Sequence, residues 1–228
     1  MQSKQPLMVG LLLSACLVQA CVEQPPPGQK ASSSDIAPAV GVPPPPMRIA
    51  HPRVFDPATS DAKEWLNFGE NEPRGASSPR EAVEGLYRTL IERNPPGIPS
   101  GKNIPSYRRW LSRRLLRGFY EGAIERDKFI AQDTDMKPPY VDGDMFTSLF
   151  EGPTGFKVLR QVRKTPDRVR FDIGLEYKDR TGSSNWVDHA IAIREGGRWV
   201  IDDIEYGGDW DFAVRGRLSG NLPTEVAE

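Results

Sequence analysis

The hydrophobic period of this chain changes once, and the change sets its fold class. Between residues 78 and 130 apolar side chains recur every three or four positions, and after residue 155 they recur every second one. The first repeat belongs to helices that bury one face, the second to strands of a one-sided sheet. Ser78-Pro79-Arg80-Glu81 reads as a capping box with proline at the first helical position. Val83, Leu86, Tyr87, Leu90 and Ile91 then share one face, and Asn94-Pro95-Pro96-Gly97 ends the helix. A second helix is predicted from about Pro105, burying Tyr107, Trp110, Leu111, Leu115 and Phe119. Arg108, Arg109, Arg113, Arg114 and Arg117 are expected on its solvated side, with Gly118 and Gly122 as weak points before Phe129 and Ile130.

Four strands follow. Phe156, Val158, Arg160 and Val162 mark the first. Val169, Phe171, Ile173, Leu175 and Tyr177 mark the second, and Val187, His189, Ile191 and Ile193 the third. In the fourth, Trp199, Ile201 and Asp203 are expected to alternate with Val200, Asp202, Ile204 and Tyr206. Residues 179–182 form one turn, and Glu195-Gly196-Gly197 a tight hairpin. Helices first and consecutive antiparallel strands after them mean α+β, not a parallel βαβ sheet. The predicted domain spans 78–218, with 219–228 as a flexible tail. A domain of that size buries about 68–70% of its unfolded surface and needs no covalent staple.

The chain ahead of residue 78 cannot build a core. Residues 1–20 read as an export signal: Lys4 is the positive start, Pro6 to Leu13 is apolar, and no acid precedes Glu23. That run falls short of the roughly 20 residues that span a bilayer. Residues 21–77 read as a proline-rich tether, since residues 22–60 hold ten of the 22 prolines. Such a stretch favours extended polyproline II as a spacer, although Trp65, Leu66 and Phe68 could dock as an N-terminal arm.

Both cysteines lie at the end of the signal. Leu13-Ser14-Ala15-Cys16 resembles the bacterial lipobox, and Val18-Gln19-Ala20-Cys21 is a second, looser match. Either cysteine would carry lipid, and several acyl chains together give stable anchoring. By resemblance to sorted bacterial lipoproteins, Leu17 or Val22 after the cysteine, and not Asp, implies passage to the outer membrane, and a position there facing the periplasm is the expectation. The alternative is an ordinary cleaved signal with two incidental thiols.

Three segments carry a further resemblance: residues 111–116 (LSRRLL), residues 142–147 (DGDMFT) with 151–153 (EGP), and residues 197–204 (GRWVIDDI). With the order of elements, they resemble a family of short bacterial secreted domains of unknown function. That family is similar to the nuclear transport factor 2-like, ketosteroid-isomerase-like (cystatin-like) cone, in which helices pack on a curved antiparallel sheet. The resemblance covers roughly 78–210 and implies a fold and a secreted life, but no activity.

Candidate chemistry is sparse. Lys and Arg number 30 against 31 Asp and Glu, so net charge gives no case for nucleic acid. A cysteine-free domain excludes thiol nucleophiles and thiolate metal sites there. Asp142 and Asp144, with Glu151 nearby, offer calcium-type oxygen ligands, but a turn set by Asp and Gly is the favoured reading, and no metal or cofactor is implied. Trp186 and Asp188 share a strand face and would line a cavity wall, while His189 on the opposite face reads as a hydrogen-bonded core histidine. Asp202, Asp203 and Tyr206 supply the residue types of an isomerase-like cavity without its spacing. A structural pairing with the arginines of residues 108–117 is favoured for the two aspartates. The leading expectation is a lipid-anchored, non-catalytic module that binds an envelope protein or small ligand. The alternatives are a cavity acid–base enzyme, and an immunity-type inhibitor of a periplasmic toxin.

Overall fold

A computed structural model describes residues 54–69 and 72–223. The signal, Cys16, Cys21, the tether up to residue 53 and the last five residues lie outside the described residues. The described part is α+β. Helices α1 (Pro79–Arg93), α2 (Ile104–Arg108) and α3 (Arg113–Ala131) precede β1 (Gly155–Thr165), β2 (Arg168–Lys178), β3 (Ser183–Glu195) and β4 (Arg198–Glu205). The four strands pair antiparallel in sequence order. Helix α1 lies against the sheet, and its Ala82, Val83, Leu86, Tyr87 and Leu90 enter one core with Ile173, Ala190, Ala192, Ile201 and Ile204.

Local chemistry sets the helix ends. The Glu81 amide donates to Ser78 Oγ at 3.2 Å, and Glu81 reaches back to the Ser77 amide at 3.0 Å. Asn94 closes α1 in a left-handed conformation. The predicted second helix is two helices. Leu111 leaves the helical path to bridge Ile201, and Ser112 restarts it by accepting the Leu115 amide. Helix α3 then runs unbroken through Gly118 and Gly122. At Gly122 a Cβ would strike Ile98, so this glycine permits close packing and is no weak point.

The basic run is not uniformly solvated. Arg108 is buried and donates to Glu72 and to the Glu64 carbonyl, while Arg114 pairs with Asp202. Packed structure also begins ahead of Ser78. Short 3-10 turns at Pro57–Thr59 and Asp61–Trp65 place Ala62 and Trp65 in the core, with Trp65 stacked on Phe119 at 4.7 Å. It also continues past residue 218, because Leu222 is buried and Ser219 donates to Asp203.

Strand β4 departs from strict alternation. Ile191 faces Asp203 and Ala192 faces Ile201, so Asp202 is an extra residue in a β-bulge. The bulge turns both Ile201 and Ile204 into the core. The free edge of β4 is covered by Ala76, Leu111 and Arg217, which bridge Trp199, Ile201 and Glu205. Among the described residues no segment bridges the outer edge of β1, which carries irregularities around Leu159 and Val162 that blunt it. His189 is hydrogen-bonded, but on the partly exposed outer face, where Arg160, Asp172, His189 and Glu205 form one cross-strand row. There burial acts to raise Asp172, but hydrogen bonds from Arg160 and His189 hold it below the ordinary carboxylate range.

Candidate functional site

Four of the five sequence-predicted aspartates, Asp144, Asp188, Asp202 and Asp203, fall into two separate buried groups. Asp188 projects from β3 into the core end and is fully buried. One carboxyl oxygen accepts from Ser148 Oγ and from the Gly207 amide at 2.8 Å. The other accepts from the Ser148 amide at 2.9 Å and from Trp186 Nε1 at 3.1 Å. Asp144 closes the loop of residues 144–150: its amide donates to the Phe150 carbonyl, and its carboxyl accepts from the Phe146 amide and Thr147 Oγ1. Burial pushes the Asp144 carboxyl up to about 7, against the pull of those hydrogen bonds.

Three tyrosines stand in the field of these acids. Burial raises Tyr87, Tyr107 and Tyr206, and the charge of Asp144 adds to each. Tyr206 donates to the Met145 carbonyl at 2.5 Å, whereas the buried Tyr87 and Tyr107 hydroxyls have no hydrogen-bond partner.

Asp202 and Asp203 lie elsewhere, on the β4 bulge. Asp202 accepts from Ser112 Oγ at 2.9 Å, Arg114 at 3.2 Å and Arg168 at 3.3 Å. Asp203 accepts from the Ser219 amide and hydroxyl at 3.1 and 2.8 Å, tying the segment around Ser219 to the sheet. Asp142 is exposed and pairs with Lys137. Among the described residues no group of three or more His, Cys, Asp or Glu is placed to hold a metal ion.

The network around Asp188 supports a surface. Ser148 joins two loops: its hydroxyl accepts the Gly208 amide at 3.0 Å and its carbonyl accepts the Val214 amide at 2.9 Å. Arg215 donates to the carbonyls of Gly208 and Trp210 at 2.7 and 2.9 Å. At Gly208 a Cβ would lie 2.6 Å from the Trp210 ring, so that ring seats only on a bare backbone. Trp210 meets the edge of Trp186 at 5.8 Å between centroids, with an interplanar angle of 75°. The result is a cleft of about 730 Å³ lined by Leu149, Phe150, Glu151, Ser184, Asn185, Trp210 and Phe212. Its size suits a small ligand or a few residues of peptide. Phe212 is 88% exposed and Phe150 55%. Neither Asp144 nor Asp188 lines the cleft; both hold its walls from below.

Of the sequence candidates, Asp144, Trp186, Asp188 and Tyr206 come together, while Asp142, Asp202 and Asp203 do not join them. Phe150, Trp210, Phe212 and Ser148 were not singled out from the sequence. The available signal was Asp209-Trp210-Asp211-Phe212, two aromatics between acids beyond the last strand. No family model matches the chain, and neither a curated protein nor a solved structure matches it.

Proposed function

We propose that this chain is a lipid-anchored protein of the bacterial cell envelope that acts as a non-catalytic binding module, with the aromatic cleft as its binding surface. The observation that carries the binding reading is a pair of exposed rings, Phe150 and Phe212, on loops fastened by a fully buried carboxyl. Large apolar groups left in water at the end of a rigid network mark recognition surfaces. The anchor reading rests on the lipobox-like Cys16 and Cys21. Among the described residues no helix is long and apolar enough to cross a membrane. Leu17 and Val22 after those cysteines support passage to the outer membrane, where this reading sets the module facing the periplasm. The cone-like fold is supported by α1 on the sheet and by the strand irregularities that bend it.

Two measurements test this reading. An alkyne fatty acid should label the wild type and not Cys16→Ala. Labelling that persists moves the lipid to Cys21, and an unlabelled wild type removes the anchor. Chain retrieved from its own envelope with bound material should lose that material in Trp210→Ala and Phe212→Ala; undiminished retention removes the cleft.

A second reading, a cavity acid–base enzyme, is favoured by one observation: buried Asp144, raised to about 7, stands among tyrosines. Against it, the Tyr206 hydroxyl is engaged with Met145 and both Asp188 oxygens are saturated. Tyr87→Phe separates the readings. A binding module keeps or gains stability when a buried, unpartnered hydroxyl is removed. It also keeps its ligand, whereas an enzyme loses turnover.

A further inference from the structure

We infer that the aromatic cleft takes a cationic side chain, a lysine or arginine presented by an extended peptide segment of a partner. The inference rests on the binding-module reading and names its ligand. The walls are Leu149, Phe150, Trp210 and Phe212, and the polar members are Glu151, Ser184 and Asn185. No lysine or arginine lines the cleft. Exposed Asp209 and Asp211 alternate with Trp210 and Phe212 on one loop. The neighbouring cation, Arg215, donates to the Gly208 and Trp210 carbonyls and so holds the loop.

Ring faces carry the negative end of the aromatic quadrupole and attract cations. The Glu151 carboxylate in the lining repels an anion, and a purely apolar occupant would leave it desolvated without a partner. An ammonium or guanidinium answers both demands: its stem lies on the rings and its head meets Glu151. A volume of about 730 Å³ exceeds one such side chain and leaves room for its flanking backbone. Ser184 and Asn185, exposed at the start of β3, offer that backbone donors and acceptors.

The test uses the full chain in nonionic detergent with indole-¹⁵N tryptophan, the Trp210 signal being assigned by Trp210→Phe. The probes are blocked tripeptides Lys-Gly-Lys, norleucine-Gly-norleucine and Glu-Gly-Glu, and a chito-oligosaccharide. The lysine probe should shift the Trp210 indole signal saturably, and at least threefold more weakly in Glu151→Gln. Raising salt from 50 to 500 mM should weaken it likewise. Equal binding of the norleucine peptide, binding by the saccharide with the lysine peptide silent, or no shift with any probe overturns the inference. The binding-module reading fails separately, through envelope material retained by Trp210→Ala and Phe212→Ala.

Discussion

At Asp188 each carboxyl oxygen takes two donors, so no orientation of an amide can replace it. In Asp188→Asn an NH₂ faces either the Ser148 hydroxyl and Gly207 amide or the Ser148 amide and Trp186 indole. In the first orientation the Ser148 hydroxyl can turn to accept and the Gly207 amide alone is orphaned, and in the second two N–H donors are, so unfolding free energy should fall by roughly 1–3 kcal/mol. Denaturant melts would show this, and near-UV circular dichroism would report the loosened Trp186–Trp210 pair. A loss below about 1 kcal/mol would mean that Asp188 does not hold these loops.

Asp144 differs, because its partners tolerate an amide: the Phe146 amide needs only an acceptor, and the Thr147 hydroxyl can turn to accept. Its folded value of about 7 lies above the unfolded one, so the native state holds the proton more tightly. The stabilisation is full below about pH 4 and is lost as pH rises through about 7. The shift corresponds to something on the order of 4 kcal/mol across that window. Melting temperature should therefore carry a falling component between about pH 4 and 7 that Asp144→Asn removes; an unchanged pH profile in the variant would refute the assignment.

Trp65 belongs to an element that composition conceals. Its short turn sits among glycines and prolines and has no periodicity, because two residues, Ala62 and Trp65, make the whole contact. Two polar contacts then clamp it to α3: Arg126 pairs with Asp61 at 3.4 Å, and Ser60 Oγ donates to Asp127 at 2.5 Å. Truncating a fully buried indole stacked on Phe119 removes that contact, so Trp65→Ala should cost about 3–5 kcal/mol in a chemical melt. A cost under about 1 kcal/mol would show that the arm merely rests on the core. The regular elements were readable because their period is local: α1 begins and ends at the residues its caps announce, and all four strands are in place. What escaped was non-local. Leu111 leaves its helix to cover β4, and the bulge at Asp202 adds a residue that alternation cannot register. The candidate site was half legible. Asp144, Trp186, Asp188 and Tyr206 are unusual in a core, but the rings they support lie in loops with no pattern to betray their exposure.

Across the whole molecule the packed domain begins near the 3-10 turns at Pro57–Thr59 and Asp61–Trp65, so the proposed spacer is shorter than proline content suggested. Eight of the ten prolines between residues 22 and 60 stand at positions 25–46, ahead of the described residues. A polyproline stretch of about 30 residues reaches up to about 90 Å at 3.1 Å per residue. If the chain is anchored as proposed, a spacer of that length would hold the domain off the headgroups. Two nested deletions in the unlipidated chain separate spacer from domain. Removing residues 22–53 leaves Ser60, Ala62 and Trp65 in place and should move the melting temperature by less than about 2 °C. Extending the deletion to residue 66 strips the Trp65–Phe119 stack and the Arg126–Asp61 pair, and should lower it by roughly 10 °C. A large drop from the shorter deletion would mean that the proline segment packs against the domain, and the reach argued for the spacer would be lost with it.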